Sequence, residues 1–499
     1  MLRNQEGSLV SYNVLEKPTI KNLRERADLS LAALEKAVAR DLEILEYPSK
    51  SWMPATKGPD GQHVYDVIVV GGGHCGVTAG FALIRERISN ILVLEKSPPG
   101  AEGPWQTYAR MPDLRTRKAV AGNELGYVNL TFRAYYEARE GEEAYAELKR
   151  ISCDEWTCYL LWLRKVLKIP VQNGTELLLV EPEGKLFKLQ VLHDGEVETI
   201  YTRRVVMTSG PLSMGGSVIP DIVHQSLPTT AYHAAYDDFD LNKLIGKRVV
   251  VVGAGASAFD NAGAALEVGA ASVDLLVRRP KIPPVSVIRW TDTSGFLQTY
   301  ADLNDDQKWR MIHQVQRNAA PPTPRALNRV QGWQNFNIHF SSPIVGAKMN
   351  GDEVEITTPN ETLHADVILL ATGFMFDLKK NAALTPFVDH IALWRDRYKP
   401  EKAGSDKYLQ SPYLGRNYEF IEKEPGAAPY LKHIFCYNQS STLSMGPTGR
   451  VSGLKYGIKR LMMGVCGSFM REDYDHHLQA VTNFNFNEFQ GHPWMEDIG

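Results

Sequence analysis

Apolar runs of strand length recur along the chain, and they recur in the same order twice. Residues 64–70 and 249–252 are continuously apolar enough to be buried on both faces, as the central strands of a parallel sheet are. Each run leads into glycines and then into a helical stretch, roughly 77–87 and 256–268. Residues 90–94 and 272–277 supply the next strand of each unit. Alternation of apolar and polar positions follows. Residues 177–206 alternate around turns at Pro182-Glu183-Gly184 and His193-Asp194-Gly195, and lead into Thr208-Ser209-Gly210. Residues 337–370 turn at Asn350-Gly351-Asp352 and Pro359-Asn360-Glu361, and end in Ala371-Thr372-Gly373. Each predicts a small antiparallel meander and a buried strand returning to its sheet.

The glycines between strand and helix have dinucleotide-binding spacing. In Gly71-Gly72-Gly73-His74-Cys75-Gly76, Gly71 makes the tight turn and Gly73 lets backbone approach a pyrophosphate. Gly76 lets the helix pack close to the strand. The helix N-terminus then faces the phosphates. Glu95 ends the second strand, where a carboxylate accepts from ribose hydroxyls, and Lys96 follows it. In the second unit Gly253 and Gly255 repeat the first two roles and Ala258 takes the third, with Ala256 and Ser257 opening the helix. The second strand there ends in Arg278-Arg279 instead of an acid, which favours a 2′-phosphate and so NADPH over NADH. The expected fold is α/β, with two Rossmann-like domains that each carry a meander. The first domain covers 61–215 and 356–499, and the nicotinamide domain, 216–355, is inserted into it.

Ahead of these lies an N-terminal helical extension, 1–60. Leu31, Leu34, Val38, Leu42 and Leu45 have helical spacing after Ser30 as a possible cap, and predict a helix packed on the chain's own body. A dimer contact or a cofactor cover are the alternatives. Residues 99–150 and 280–330 read as irregular, the second Pro-rich, and are candidates for substrate loops. The 499 residues with a net charge of −3 suit a globular enzyme and give no hint of a nucleic-acid partner. No apolar run reaches the ~20 residues of a membrane span. Five cysteines and a charged N-terminus fit a cytoplasmic location. A homo-oligomer is plausible.

Two nucleotide fingerprints 180 residues apart resemble the two-dinucleotide-binding flavoproteins, over about residues 62–465. Glu95-Lys96-Ser97 with Gly103-Pro104-Trp105, and Ala371-Thr372-Gly373-Phe374, are similar to stretches of the flavin-containing, N-hydroxylating and Baeyer–Villiger monooxygenases. Leu227, Thr229 and His233 stand where that group carries Phe-x-Gly-x-x-x-His, with the aromatic Tyr236 one residue early. The resemblance implies FAD at the first site and NADPH at the second. Gly71, Gly73, His74, Gly76, Glu95, Lys96, Trp105, Thr372 and Gly373 would serve FAD. Gly253, Gly255, Ala256, Ser257, Arg278, Arg279, His233 and Ser209 would serve NADPH. It implies oxygenation of a small molecule by O2 through a C4a-(hydro)peroxyflavin, at an amine nitrogen or sulfur, or by insertion beside a ketone.

Lys118 or Arg115 could steady an oxygen anion on the flavin, or simply belong to a charged loop. Asn438 precedes a Ser/Thr/Gly-rich loop and a helix expected at 449–465, and could reach flavin or substrate. His74 could donate to a phosphate or pack locally. His476-His477 reads as a surface pair, and no metal set is expected. A disulfide-reductase reading needs a redox pair. Cys153 and Cys158 have a suitable spacing, but residues 156–167 read as helix, which would place the two on different faces.

Overall fold

The computed structural model describes residues 31–48, 50–120, 122–317, 321–401 and 406–484. Ser30, the expected cap, lies outside them. The first unit is a seven-stranded sheet. Its parallel heart is β1 (Val64–Val70), β2 (Ile91–Leu94) and β3 (Val171–Gln172), with the second half of β6 (Glu196–Met207) on the other side of β1. Helix α2 (His74–Arg85) follows β1 and is buried at ten positions, so apolar side chains fill both faces of the sheet. The first half of β6 pairs antiparallel with β5 (Leu186–His193), which pairs with β4 (Thr175–Glu183). One strand thus serves the meander and then the parallel sheet.

The second unit is a five-stranded parallel sheet. Its central strand, β9 (Arg248–Val252), lies between β10 (Ser272–Val277) and β15 (Val367–Leu370). β11 (Phe336–Phe340) extends it beyond β10, and β8 (Tyr232–Ala234) beyond β15. Its meander is β12 (Gly346–Asn350), β13 (Glu353–Thr357) and β14 (Thr362–Ala365). Two expectations change. Residues 337–340 form a parallel edge strand, not a meander arm, because β11 pairs in register with β10. Residues 356–370 belong with the nicotinamide-type sheet, not with the first domain, because β15 hydrogen-bonds to β9. The chain crosses between units at β7 (Gly215–Ser217) and β16 (Phe374–Phe376), which pair antiparallel as a two-ply ribbon. A Cβ on Gly215 would lie 1.9 Å from the Met375 carbonyl oxygen, so glycine is what lets the two plies touch. After the second crossing, β17 (Ile434–Cys436) returns to pair with β6.

Helix α1 (Leu31–Ile44) buries Leu34, Val38 and Leu42 in the main core, while Leu45 lies past its end and is exposed. Apolar spacing alone carries that packing, at about 1.5–3 kcal/mol for each fully buried side chain. The two segments expected to be irregular hold helices. The first contains α3 (Phe132–Glu140), α4 (Glu142–Glu147) and the start of a run to α5 (Cys153–Val166). Past a short α6 (Asp221–Ser226) and the fingerprint helix α7 (Ala256–Glu267), the second contains α8 (Ser294–Thr299), α9 (Asp305–Arg317) and α10 (Pro324–Val330). Side-chain caps at Thr131, Ser152 and Thr323 start three of these helices. The C-terminal part adds α11 (Trp394–Arg397), α12 (Thr442–Met445), α13 (Leu454–Glu472) and α14 (Tyr474–Thr482). The helix expected at 449 therefore begins later, at Leu454. Among the described residues no helix is long and apolar enough to cross a membrane.

Candidate functional site

The two fingerprints are built alike. At the first, Gly71 has φ +105°, and a Cβ there would lie 2.9 Å from Ser209 Cα. At the second, Gly253 has φ +151°, and its Cβ would lie 2.5 Å from the Ala371 oxygen. In both, the strand returning from the meander presses against the turn. This exchanges two sequence assignments. Ser209, expected beside NADPH, abuts the first fingerprint. Thr372 and Gly373, expected beside FAD, follow Ala371 at the second, and the Thr372 hydroxyl donates to the Val218 carbonyl. Sequence could not separate them, because both returning strands end in nearly the same residues.

Around the first turn the groups fit a bound dinucleotide. A Cβ on Gly73 would meet nothing nearer than 3.8 Å, so its backbone faces open space. The buried Glu95 carboxylate accepts from Gly72 N at 2.7 Å and Ser97 N at 2.8 Å, which fixes its oxygens at the strand end. Lys96 is exposed beyond it. A shallow recess opens beside Gly72, lined by Val77, Glu102, Leu160 and Arg164. Three buried polar atoms at this edge find no partner among the described residues: Trp105 Nε1, Ser209 Oγ and Asn438 Nδ2. Buried donors are normally satisfied, so three orphans along one sheet edge fit a missing polar ligand such as FAD. Asn438 stands where β17 ends, and Tyr437 N donates to Met207 O at 2.8 Å. Its Oδ1 accepts from Ser440 N at 3.0 Å, which leaves the amide NH2 to point elsewhere.

Other candidates are committed to the fold. His74 Nε2 lies 2.9 Å from the Gly449 carbonyl, so the ring holds the loop before α13 and does not face a phosphate through that nitrogen. Burial lowers its pKa, which keeps it neutral. Arg115 pairs with Asp260 on α7 at 2.7 Å, joining the two units. Lys118 donates to the carbonyls of Tyr145 and Ala146 at the end of α4. Neither expected oxygen-anion stabiliser is therefore free. Arg325 with Asp113, and Arg329 with Glu267 and the Arg110 carbonyl, extend the same brace between the units.

At the second fingerprint a Cβ on Gly255 would meet nothing within 4 Å, and Ala256 and Ser257 open α7. Arg278 and Arg279 stand at the end of β10 with no carboxylate partner among the described residues. His233 stacks on Phe239 at 4.3 Å, and burial lowers its pKa. Cys153 is buried on α5, donates to the Met111 carbonyl, and is pushed up to about 12 by burial, whereas Cys158 is exposed. The two are not a redox pair facing one pocket.

Two strand–glycine–helix units with open phosphate approaches, joined by a two-ply crossing, define a two-dinucleotide-binding flavoprotein. Comparison with known proteins agrees. Residues 68–294 match the family model for pyridine nucleotide-disulphide oxidoreductases. The chain is 35% identical over 465 residues to an FAD-dependent urate hydroxylase of Xanthomonas campestris, covering 93% of this chain and 98% of that one. Its fold is similar to ornithine hydroxylase of Pseudomonas aeruginosa, with TM-score 0.63, 15% identity and coverage of 82% and 99%. It is likewise similar to an ornithine N-hydroxylase of Kutzneria, with TM-score 0.60, 17% identity and coverage of 82% and 100%. The chain belongs to the FAD-dependent monooxygenases of the two-dinucleotide-binding flavoprotein family, and it is an oxidoreductase.

Proposed function

We propose that this protein uses NADPH and O2 to hydroxylate a planar, urate-like heterocycle. The observation that carries the reading is the full-length similarity to a urate hydroxylase, joined to two intact nucleotide sites. When bound, FAD would accept hydride from NADPH and activate O2. One oxygen atom then goes to the substrate and the other to water, with two electrons from NADPH.

The chain's own residues bind, orient and exclude water. Gly71, Gly73 and Gly76 bring the start of α2 to the pyrophosphate, and Glu95 accepts from the adenosine ribose. Trp105 Nε1, Ser209 Oγ and Asn438 Nδ2 donate to the FAD from the sheet edge. Gly253, Gly255, Ala256 and Ser257 do the same for NADPH, and Arg278 and Arg279 pair with its 2′-phosphate. The Arg115–Asp260 brace sets the spacing of the two nucleotides.

A second reading, oxygenation of an amine nitrogen, is supported by the ornithine-hydroxylating fold neighbours, whose similarity at 15–17% identity concerns the fold. The test compares substrates on FAD-loaded protein, following NADPH, O2 and substrate together. Consumption of one NADPH and one O2 per urate supports the first reading. The same coupling with ornithine, lysine or cadaverine and not with urate would move it to the second. NADPH oxidation that yields only hydrogen peroxide with every substrate would refute both.

A further inference from the structure

Buried cations in this fold are generally compensated. Arg203 and Arg204 meet Glu472 and Asp473, and Arg329 meets Glu267. Two cations near the crossing between the units form no ion pair among the described residues. Lys407 Nζ stands 5.9 Å from the Phe374 ring centre and 5.1 Å from that of Tyr408. It is half-buried and has neither an ion pair nor a hydrogen bond among the described residues. Arg450 is also half-buried and its side chain has neither an ion pair nor a hydrogen bond among the described residues; it lies in the loop whose Gly449 carbonyl holds His74. Asp292, the carboxylate that bears on it, lies beyond ion-pair distance and accepts from Ser452 Oγ at 2.8 Å. Arg450 also lies within electrostatic reach of the Tyr408 phenol, so the two cations flank one aromatic residue.

Burial lowers the pKa of both cations. Withdrawing a charge from water without a counter-charge is costly, and the ring faces beside Lys407 return only part of that. The same place presents a series of flat surfaces. Tyr108 leans on Gly210, just past Ser209, with its hydroxyl 3.9 Å from where a Cβ would stand. Tyr108 meets Tyr236 at 5.7 Å, Tyr236 meets Phe374 at 6.1 Å, and Phe376 meets Tyr408 at 5.8 Å. This row runs from the edge of the first sheet, along β16, to Lys407.

We propose that Lys407 and Arg450 recognise the negative charge of a planar anionic substrate that lies against the Tyr108–Tyr236–Phe374 wall. The proposal rests on reading the site as a hydroxylase for a urate-like anion, and urate is the conjugate base of uric acid. It also gives the preference a direction, since a cationic amine would meet two unpaired cations.

The experiment measures binding to the FAD-loaded protein by perturbation of the flavin absorbance. The ligands are urate, and benzoate with benzamide as a planar anion and its neutral counterpart. The proteins are wild type, Lys407→Met and Arg450→Met. Each variant is expected to weaken urate about 10- to 100-fold, the loss for one charge-assisted contact, and to erase the preference for benzoate. FAD content and NADPH affinity stay unchanged, and the thermal midpoint of the FAD-free protein rises because a half-buried charge with no ion pair is gone. Equal urate binding by wild type and variants overturns the proposal and leaves the substrate reading intact. A benzoate preference that depends on both cations, in a protein that ignores urate, keeps the anion site and rejects the urate reading. Loss of FAD or NADPH affinity, a lowered thermal midpoint, or no anion preference in the wild type overturns the proposal.

Discussion

Replacing Gly76 and Gly73 separately by alanine distinguishes a glycine needed by the fold from one needed by the cofactor. At Gly76 an ideal Cβ lies 1.7 Å from the Gly71 carbonyl oxygen and 2.9 Å from Thr208 Oγ1. Ordinary contact needs roughly 3.5 Å, so α2 would have to retreat by nearly 2 Å. It is buried at ten positions and cannot do so alone. Overpacking usually costs about 1–3 kcal/mol and occasionally more, and an overlap with backbone belongs at the upper end, about 3 kcal/mol. At Gly73 the backbone, φ −67° and ψ −172°, suits any residue, and the nearest atom to a new Cβ is 3.8 Å away. Stability of the FAD-free protein should then change by less than about 0.5 kcal/mol. FAD affinity should fall about 10- to 100-fold, because the methyl displaces a pyrophosphate from charge-assisted donors. Urea unfolding of the FAD-free proteins gives the first quantity, and titration with FAD, followed by its fluorescence, gives the second. An unchanged urea midpoint for Gly76→Ala, or equal destabilisation by both substitutions, would refute the reasoning.

Two further outcomes follow from the geometry. Replacing Arg278 and Arg279 together by alanine should raise the KM for NADPH about 10- to 100-fold and leave that for NADH nearly unchanged, and equal effects on both would reject the 2′-phosphate role. His433 is held down to about 3 by burial and by Arg204. The unfolded chain takes up its proton near the ordinary value of 6.5 while the folded chain refuses it, so stability falls as pH drops from about 6.5 toward 3. Urea midpoints at pH 7 and pH 5 should differ less in His433→Gln than in wild type, and an equal difference would show that other groups control the acid limb.

The glycine turns, Glu95, the first meander and the 346–365 part of the second were legible because each depends on residues near in sequence. A turn needs its glycine, and a meander needs its alternation. What local sequence could not decide depended on partners brought from afar. For Arg115 a catalytic role and a charged-loop role stayed open because nothing local shows Asp260 arriving from the other unit. The same two readings stayed open for Lys118 because the Tyr145 and Ala146 carbonyls come from a helix in a segment expected to be irregular. Residues 132–147, 294–299, 305–317 and 324–330 fold as helices through capping hydroxyls and aromatic packing such as Phe132 on Tyr159, which override weak periodicity. Lys407 carried no signal at all. It belongs to no motif, and its significance lies in its having no ion pair among the described residues.

The two-ply crossing of β7 and β16 also bears on the order in which the chain assembles. β17 must pair with β6 across the whole inserted unit, a contact that a disordered loop of that length would make slowly. Once the inserted unit folds, β7 and β16 bring its two ends together and shorten the effective loop. The nicotinamide-type unit should therefore gain protection from hydrogen exchange first during refolding, and completion of the flavin-type sheet should wait on it.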